Sequence, residues 1–154
     1  MSDLRSKIND EVKTSMKAGD AARTSTLRMI NAAIKQKDID TRTDTNKDPI
    51  ADAAILSLLQ SMIKQRRESI ALYEQGNRAE LAAKEAEEIK VIESFLPAQV
   101  SEAEARKIIG DIIASSGAAG IKDMGKVMGA VKEKLSGQYD TAEASKLVKE
   151  LLSA

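Results

Sequence analysis

Lys122, Lys126 and Lys132 surround two glycines, Gly125 and Gly129, spaced four residues apart. A lysine ammonium can neutralise phosphate with no help from a second catalytic group, and it does so without reading bases. On a helix of 3.6 residues per turn the two glycines share one side, with Lys132 a step further along. They leave a strip of backbone with no side chains over it. A glycine inside a helix costs about 1 kcal/mol relative to alanine, so something should compensate for the pair. Either another helix backbone packs into the strip, or a ligand approaches it. The ligand reading is a phosphate backbone rimmed by the three lysines, two of which stand at the helix start, where anions are favoured.

The other candidates carry weaker chemistry. Lys64-Gln65-Arg66-Arg67-Glu68 is the densest basic run. On a helix Lys64 and Arg67 share a side, where they can contact phosphate or form ion pairs with Glu68 and Glu74 on a solvated face. Glu85, Glu87, Glu88 and Glu93 cluster nearby, but a di-iron bundle needs Glu-x-x-His pairs, and the chain has no histidine. Solvated helix surface is the reading for these carboxylates, and no metal or cofactor is expected. Ser57, Ser61 and Ser69 lie near Lys64 without a glycine-rich oxyanion loop, so a serine–lysine pair has little support. No G-x-x-x-x-G-K-[ST] phosphate loop is present. With neither cysteine nor histidine, disulfides, thiol catalysis, common zinc sites and nucleophile–histidine pairs are excluded.

The balance of 24 basic and 24 acidic residues argues against indiscriminate nucleic-acid binding, leaving a local basic patch as the alternative. Tyr73, Phe95 and Tyr139 are the only aromatics, too few to stack unpaired bases. An RNA partner would therefore be read by shape and phosphate, and DNA is not expected. No apolar run approaches the roughly 20 residues that span a bilayer, and no signal peptide pattern is seen. The expected location is the cytoplasm, with no membrane partner.

Positioning these residues falls to helices. Alternating β-branched runs are absent, and the chain reads as all-α with seven helices. The first is expected from Asp3 to Ala18 with Leu4, Ile8, Val12 and Met16 on one face and Gly19 as its C-terminal cap. The second starts at Asp20 and runs to Lys37, burying Leu27, Ile30, Ala33 and Ile34, with Met29 at the edge. Residues 38–48 read as a polar loop. Pro49 suits the first turn of a long third helix to Glu74, which Gly76-Asn77 breaks. A fourth runs from Ala79 to Phe95 with Leu81, Ile89 and Ile92 inward. Pro97 disfavours helix at Leu96, and Ser101 with Glu104 forms a capping box for a fifth helix, Glu102 to Ser116. The sixth holds the glycines, with Asp123 as its cap and Met124, Val127, Met128, Val131 and Leu135 as its apolar stripe. Asp140 or Thr141 caps the seventh. The expected division is an N-terminal four-helix domain, 1–97, and a small three-helix domain, 98–154, whose core is marginal alone.

Several stretches stand out together: Met16-Lys17-Ala18-Gly19-Asp20, Leu27-Arg28-Met29-Ile30 with Ala33-Ile34-Lys35, Lys64 to Ile70, Gly76-Asn77-Arg78 with Leu81, Phe95-Leu96-Pro97 with Gln99, and above all Asp123-Met124-Gly125-Lys126-Val127-Met128-Gly129. In these the chain resembles the YqeY family, whose tail is similar to the C-terminal domain of GatB, the B subunit of the tRNA-dependent amidotransferase. The resemblance covers nearly the whole chain. Thr141 departs from it, standing where many relatives place glycine. The resemblance implies an all-helical protein with a three-helix tail that helps hold tRNA, and it implies an amidotransferase or aminoacyl-tRNA synthetase as partner. It also carries the label of carbon–nitrogen ligase with glutamine as amide donor, although no catalytic residues for that reaction are recognisable. Two readings follow: a non-catalytic tRNA-binding or accessory module, or an amidotransferase component whose catalysis needs partners. A protein–protein adaptor using the glycine face is the third.

Overall fold

The computed structural model describes residues 3–153. They form seven α-helices and one 3-10 turn, with no strand among the described residues. The helices are α1 (Asp3–Lys17), α2 (Ala21–Asp40), α3 (Asp52–Gln75), α4 (Ala79–Glu93), α5 (Glu102–Ser116), α6 (Met124–Leu135) and α7 (Thr141–Ser153). The chain divides into two compact units, Met1–Leu96 and Pro97–Ala154.

The first unit is a pair of helical hairpins. Gly19, at φ +71°, ends α1 in the left-handed region. There the Gly19 and Asp20 N–H groups donate back to the Met16 and Ser15 carbonyls. Asp20 then caps α2 by accepting the Arg23 N–H at 3.0 Å. Beneath this turn, the Ser15 hydroxyl lies 2.7 Å from that of Thr24, which donates to the Asp20 carbonyl. The two buried hydroxyls are thereby satisfied across the α1–α2 contact, as burial demands. The second hairpin uses Asn77 rather than Gly76 as its left-handed residue (φ +57°). The Arg78 and Asn77 N–H groups close a Schellman motif on the Tyr73 and Glu74 carbonyls.

The core of this unit joins Ile8 of α1, Leu27, Ile30 and Ile34 of α2, Ile55, Leu59, Met62 and Ile63 of α3, and Ile89 and Ile92 of α4. Each buried aliphatic side chain contributes about 2 kcal/mol of transfer free energy. Ile89 and Ile92 of α4 face inward as expected, whereas Leu81 is only half-buried and its neighbour Ala82 is buried instead. The helix stops at Glu93, and Phe95 enters the core from the following turn.

Two other expectations are corrected. Asp38 does not begin the loop: α2 continues to Asp40. The reason is distant in sequence. Arg5 donates a two-pronged hydrogen bond to the Asp38 carboxylate, 2.9 Å on each arm, and Asp38 Oδ1 accepts the Ile50 N–H at 2.8 Å. This clasp holds the last turn of α2 and seats Ile50 in the core. Pro49 therefore lies outside α3, which begins at Asp52 after Ala51.

In the second unit, Ser101 accepts the Glu104 N–H and starts α5, and Gly117 ends it at φ +69°. The entry segment is tied to the α6–α7 turn, with the Val100 N–H on the Gln138 carbonyl and Gln99 Nε2 on the Gly137 carbonyl. Asp140 caps α7, accepting the Ala142 N–H at 2.8 Å. Ala105 and Ile109 of α5, Val127, Val131 and Leu135 of α6, and Ala144, Leu147, Val148 and Leu152 of α7 make its core.

Candidate nucleic-acid interface

The apolar stripe of α6 fixes which face is left for function. Val127, Val131 and Leu135 are buried, and Met124 and Met128 pack at the edge of the same cluster. At about 100° per residue, Gly125 and Gly129 then point away from the core. Both are exposed. A Cβ built at either position meets nothing within 4 Å. Among the described residues no helix of this unit packs into the strip.

Lys132 is exposed beside the strip. Lys122 is exposed too, but on a 3-10 turn, Ile121–Asp123, which precedes α6. The expected helix-start cap is not made. Asp123 gives no side-chain hydrogen bond to α6, and its carboxylate instead accepts the Ala119 N–H at 2.9 Å. The physical reason is the 3-10 turn, which carries the Asp123 side chain back over the preceding loop. Lys126 reaches the other way, its ammonium donating to the Ser116 carbonyl at 3.3 Å. A cation at the last carbonyls of α5 is favoured by that helix's dipole, so Lys126 has a structural task as well. Glu133, one turn beyond Gly129, adds a negative charge on the exposed face.

Lys64 and Arg67 belong to the other unit, both exposed on α3. Arg67 does not pair within its own helix. It meets Glu93 of α4 at 3.4 Å. The decisive residue of that run is Arg66, which is turned into the α3–α4 contact. It donates to Glu88 at 2.9 Å with side-chain exposures of 13% and 14%, and Glu85 lies 3.9 Å away. One cation and two carboxylates of the expected solvated faces are thus consumed in holding the hairpin. Ser61 donates to the Ser57 carbonyl inside α3, an ordinary intrahelical bond. Among the described residues no three acidic side chains come together as a metal site.

Sequence reasoning passed over two further polar clusters. Arg106 bridges Glu102 and Glu150, at 3.2 and 2.9 Å, tying α5 to α7. These hydrogen bonds, Glu150 first, raise its pKa further. Burial, followed by the charges of Glu102 and Glu143, pushes the Tyr139 phenol up. The Arg106–Glu102 contact is a local i,i+4 pair, but the Glu150 arm and the surroundings of Tyr139 come from segments distant in sequence.

Two helical hairpins and a separately cored three-helix unit, with a glycine-lined helix face turned outward, define an all-helical protein of two parts. The chain belongs to the Yqey-like protein family, whose model matches residues 5–152. It is similar to the altered inheritance of mitochondria protein 41, mitochondrial, of Vanderwaltozyma polyspora, with 29% identity over 76% of this chain and 64% of the relative. The protein of the same name from Kluyveromyces lactis is 35% identical over 57% of this chain and 45% of the relative. The chain therefore spans less than two thirds of the length of these curated relatives. Among the described residues no helix is long and apolar enough to cross a membrane.

Proposed function

We propose that the C-terminal unit is a non-catalytic docking surface for folded tRNA, serving as an accessory module related to the tail of the glutamine-dependent tRNA amidotransferase, with that enzyme or an aminoacyl-tRNA synthetase as protein partner. The observation that carries the reading is the open strip at Gly125 and Gly129, where a Cβ would meet nothing. Exposed Lys122 and Lys132 flank it. A sugar–phosphate backbone can approach bare helix backbone more closely than a surface of side chains, while ammonium groups neutralise phosphate without base readout. The cytoplasmic location is part of the same proposal, and subcellular fractionation checks it against the mitochondrial location carried in the relatives' name.

The test is tRNA binding as a function of salt. Each phosphate contact contributes roughly 0.7–0.9 to the slope of log affinity against log salt, so Lys122→Ala with Lys132→Ala should lower the magnitude of the slope by about 1.4–1.8. Lys126→Ala is measured separately, with a thermal melt, because its contact with Ser116 gives it a second role. A folded double variant with unchanged affinity and slope would remove the strip as the RNA surface.

A further inference from the structure

The apolar stripe of α1 runs beyond the fold that should cover it. Met16 continues the Leu4–Ile8–Val12 series, yet it is 53% exposed, and Met29 of α2 is 37% exposed beside it. They line a groove of about 610 Å³ between the end of α1 and the first half of α2, together with Ala21 and Ala32. Its polar floor, Ser15 and Thr24, is already hydrogen-bonded, so the groove asks for no polar ligand there. Unbranched, polarizable methionine suits a surface that adapts to an incoming apolar side chain.

A cation stands at the rim of the groove. Arg28 lies against the groove with its Nη2 3.6 Å from the Met16 sulfur, and it forms no ion pair among the described residues. Lys35, seven residues beyond Arg28 on α2, and Lys13, three residues before Met16 on α1, are exposed at spacings that share a helix side with Arg28 and Met16 respectively. The acidic side chain in the lining, Asp20, is engaged in capping α2. We propose that this groove docks an acidic amphipathic helix of a partner protein, with two large apolar side chains on Met16 and Met29 and carboxylates toward Arg28. Helix-in-groove recognition uses such spaced apolar anchors, and an opposite-sign rim sets orientation. An RNA strand fits less well, because the lining holds no aromatic ring on which a base could stack.

The experiment selects a random peptide library on the full-length chain, then titrates the enriched peptides into protein carrying 13C-labelled methionine methyl groups. The expected result is a family of sequences with two apolar residues three or four apart and flanking Asp or Glu. These should shift the Met16 and Met29 methyl signals and leave Met62, Met124 and Met128 unmoved. Arg28→Glu, a surface change with no effect expected on folding, should weaken them at least tenfold. Enriched peptides that are basic or neutral, no enrichment over Met16→Lys, or insensitivity to Arg28→Glu would overturn the proposal. So would stronger shifts of the same two methyls by tRNA, or a dimer of the chain abolished by Met16→Lys.

Discussion

Replacing Gly125 and Gly129 with alanine should make the C-terminal unit more stable and a weaker binder of RNA. Neither glycine has a positive φ, and both added methyl groups would enter open space. Gly129 is interior to α6, where alanine is favoured by about 1 kcal/mol, while Gly125 stands in the first turn, where roughly half of that applies. The sum is about 1.5 kcal/mol, gained largely by restricting the unfolded chain. In a unit this small each kcal/mol moves the melting temperature by roughly 4–8 °C, so a rise of about 6–12 °C is expected if the unit melts by itself. Hydrogen exchange of the α6 amides in the full chain gives a second reading, with protection rising roughly tenfold where exchange follows unfolding of that unit. tRNA affinity should fall at the same time, because the methyl groups stand where a phosphate backbone would approach. A double variant that is less stable, or less protected, would show that another backbone packs into the strip. A variant that is stabilised with unchanged tRNA affinity would separate the glycines from RNA binding.

The Arg5–Asp38 clasp should make the N-terminal unit sensitive to acid. The hydrogen bond from Arg5 holds the Asp38 carboxyl below its ordinary value of 3.8, against the opposing effect of burial. With the folded pKa depressed, the contribution is complete above the unfolded value near 4 and is lost as pH falls through the folded one. Denaturant titrations of wild type and Asp38→Asn should therefore differ at pH 7 and converge towards pH 2; a gap independent of pH would refute the ionic account. Arg66→Met and Arg67→Met should behave differently despite adjacency. The first strips a cation from two half-buried carboxylates and should cost about 2 kcal/mol, whereas the exposed Arg67–Glu93 pair should cost under about 1 kcal/mol. Equal losses in chemical denaturation would contradict the assigned burial. Thr24→Val should cost about 0.5–1.5 kcal/mol by removing the hydrogen bond across the α1–α2 hairpin, the Ser15 hydroxyl keeping the Val12 carbonyl as its acceptor, and an unchanged denaturation midpoint would refute that role.

The helices were legible because their signals are local. Ser101 with Glu104, Gly19, and the apolar spacing of Ile8, Leu27, Ile30 and Ile34 act within one or two turns of the chain, and α5 was readable to both its ends. The family was legible for the same reason, through short strings such as Asp123 to Gly129. What the tertiary structure decided was where each charge goes and which surfaces stay open. Arg66 and Arg67 are neighbours with the same side-chain chemistry, and only the placement of α4, some 22 residues later, turns one to Glu88 and leaves the other at the rim. Asp38 is helical because Arg5 reaches it from 33 residues away. Lys126 answers the end of α5, Met16 outruns its cover, and the Gly125–Gly129 strip faces open space. Helical periodicity names the face on which a residue lies. Whether anything covers that face depends on other segments, and no local pattern in α6 or α1 encodes it.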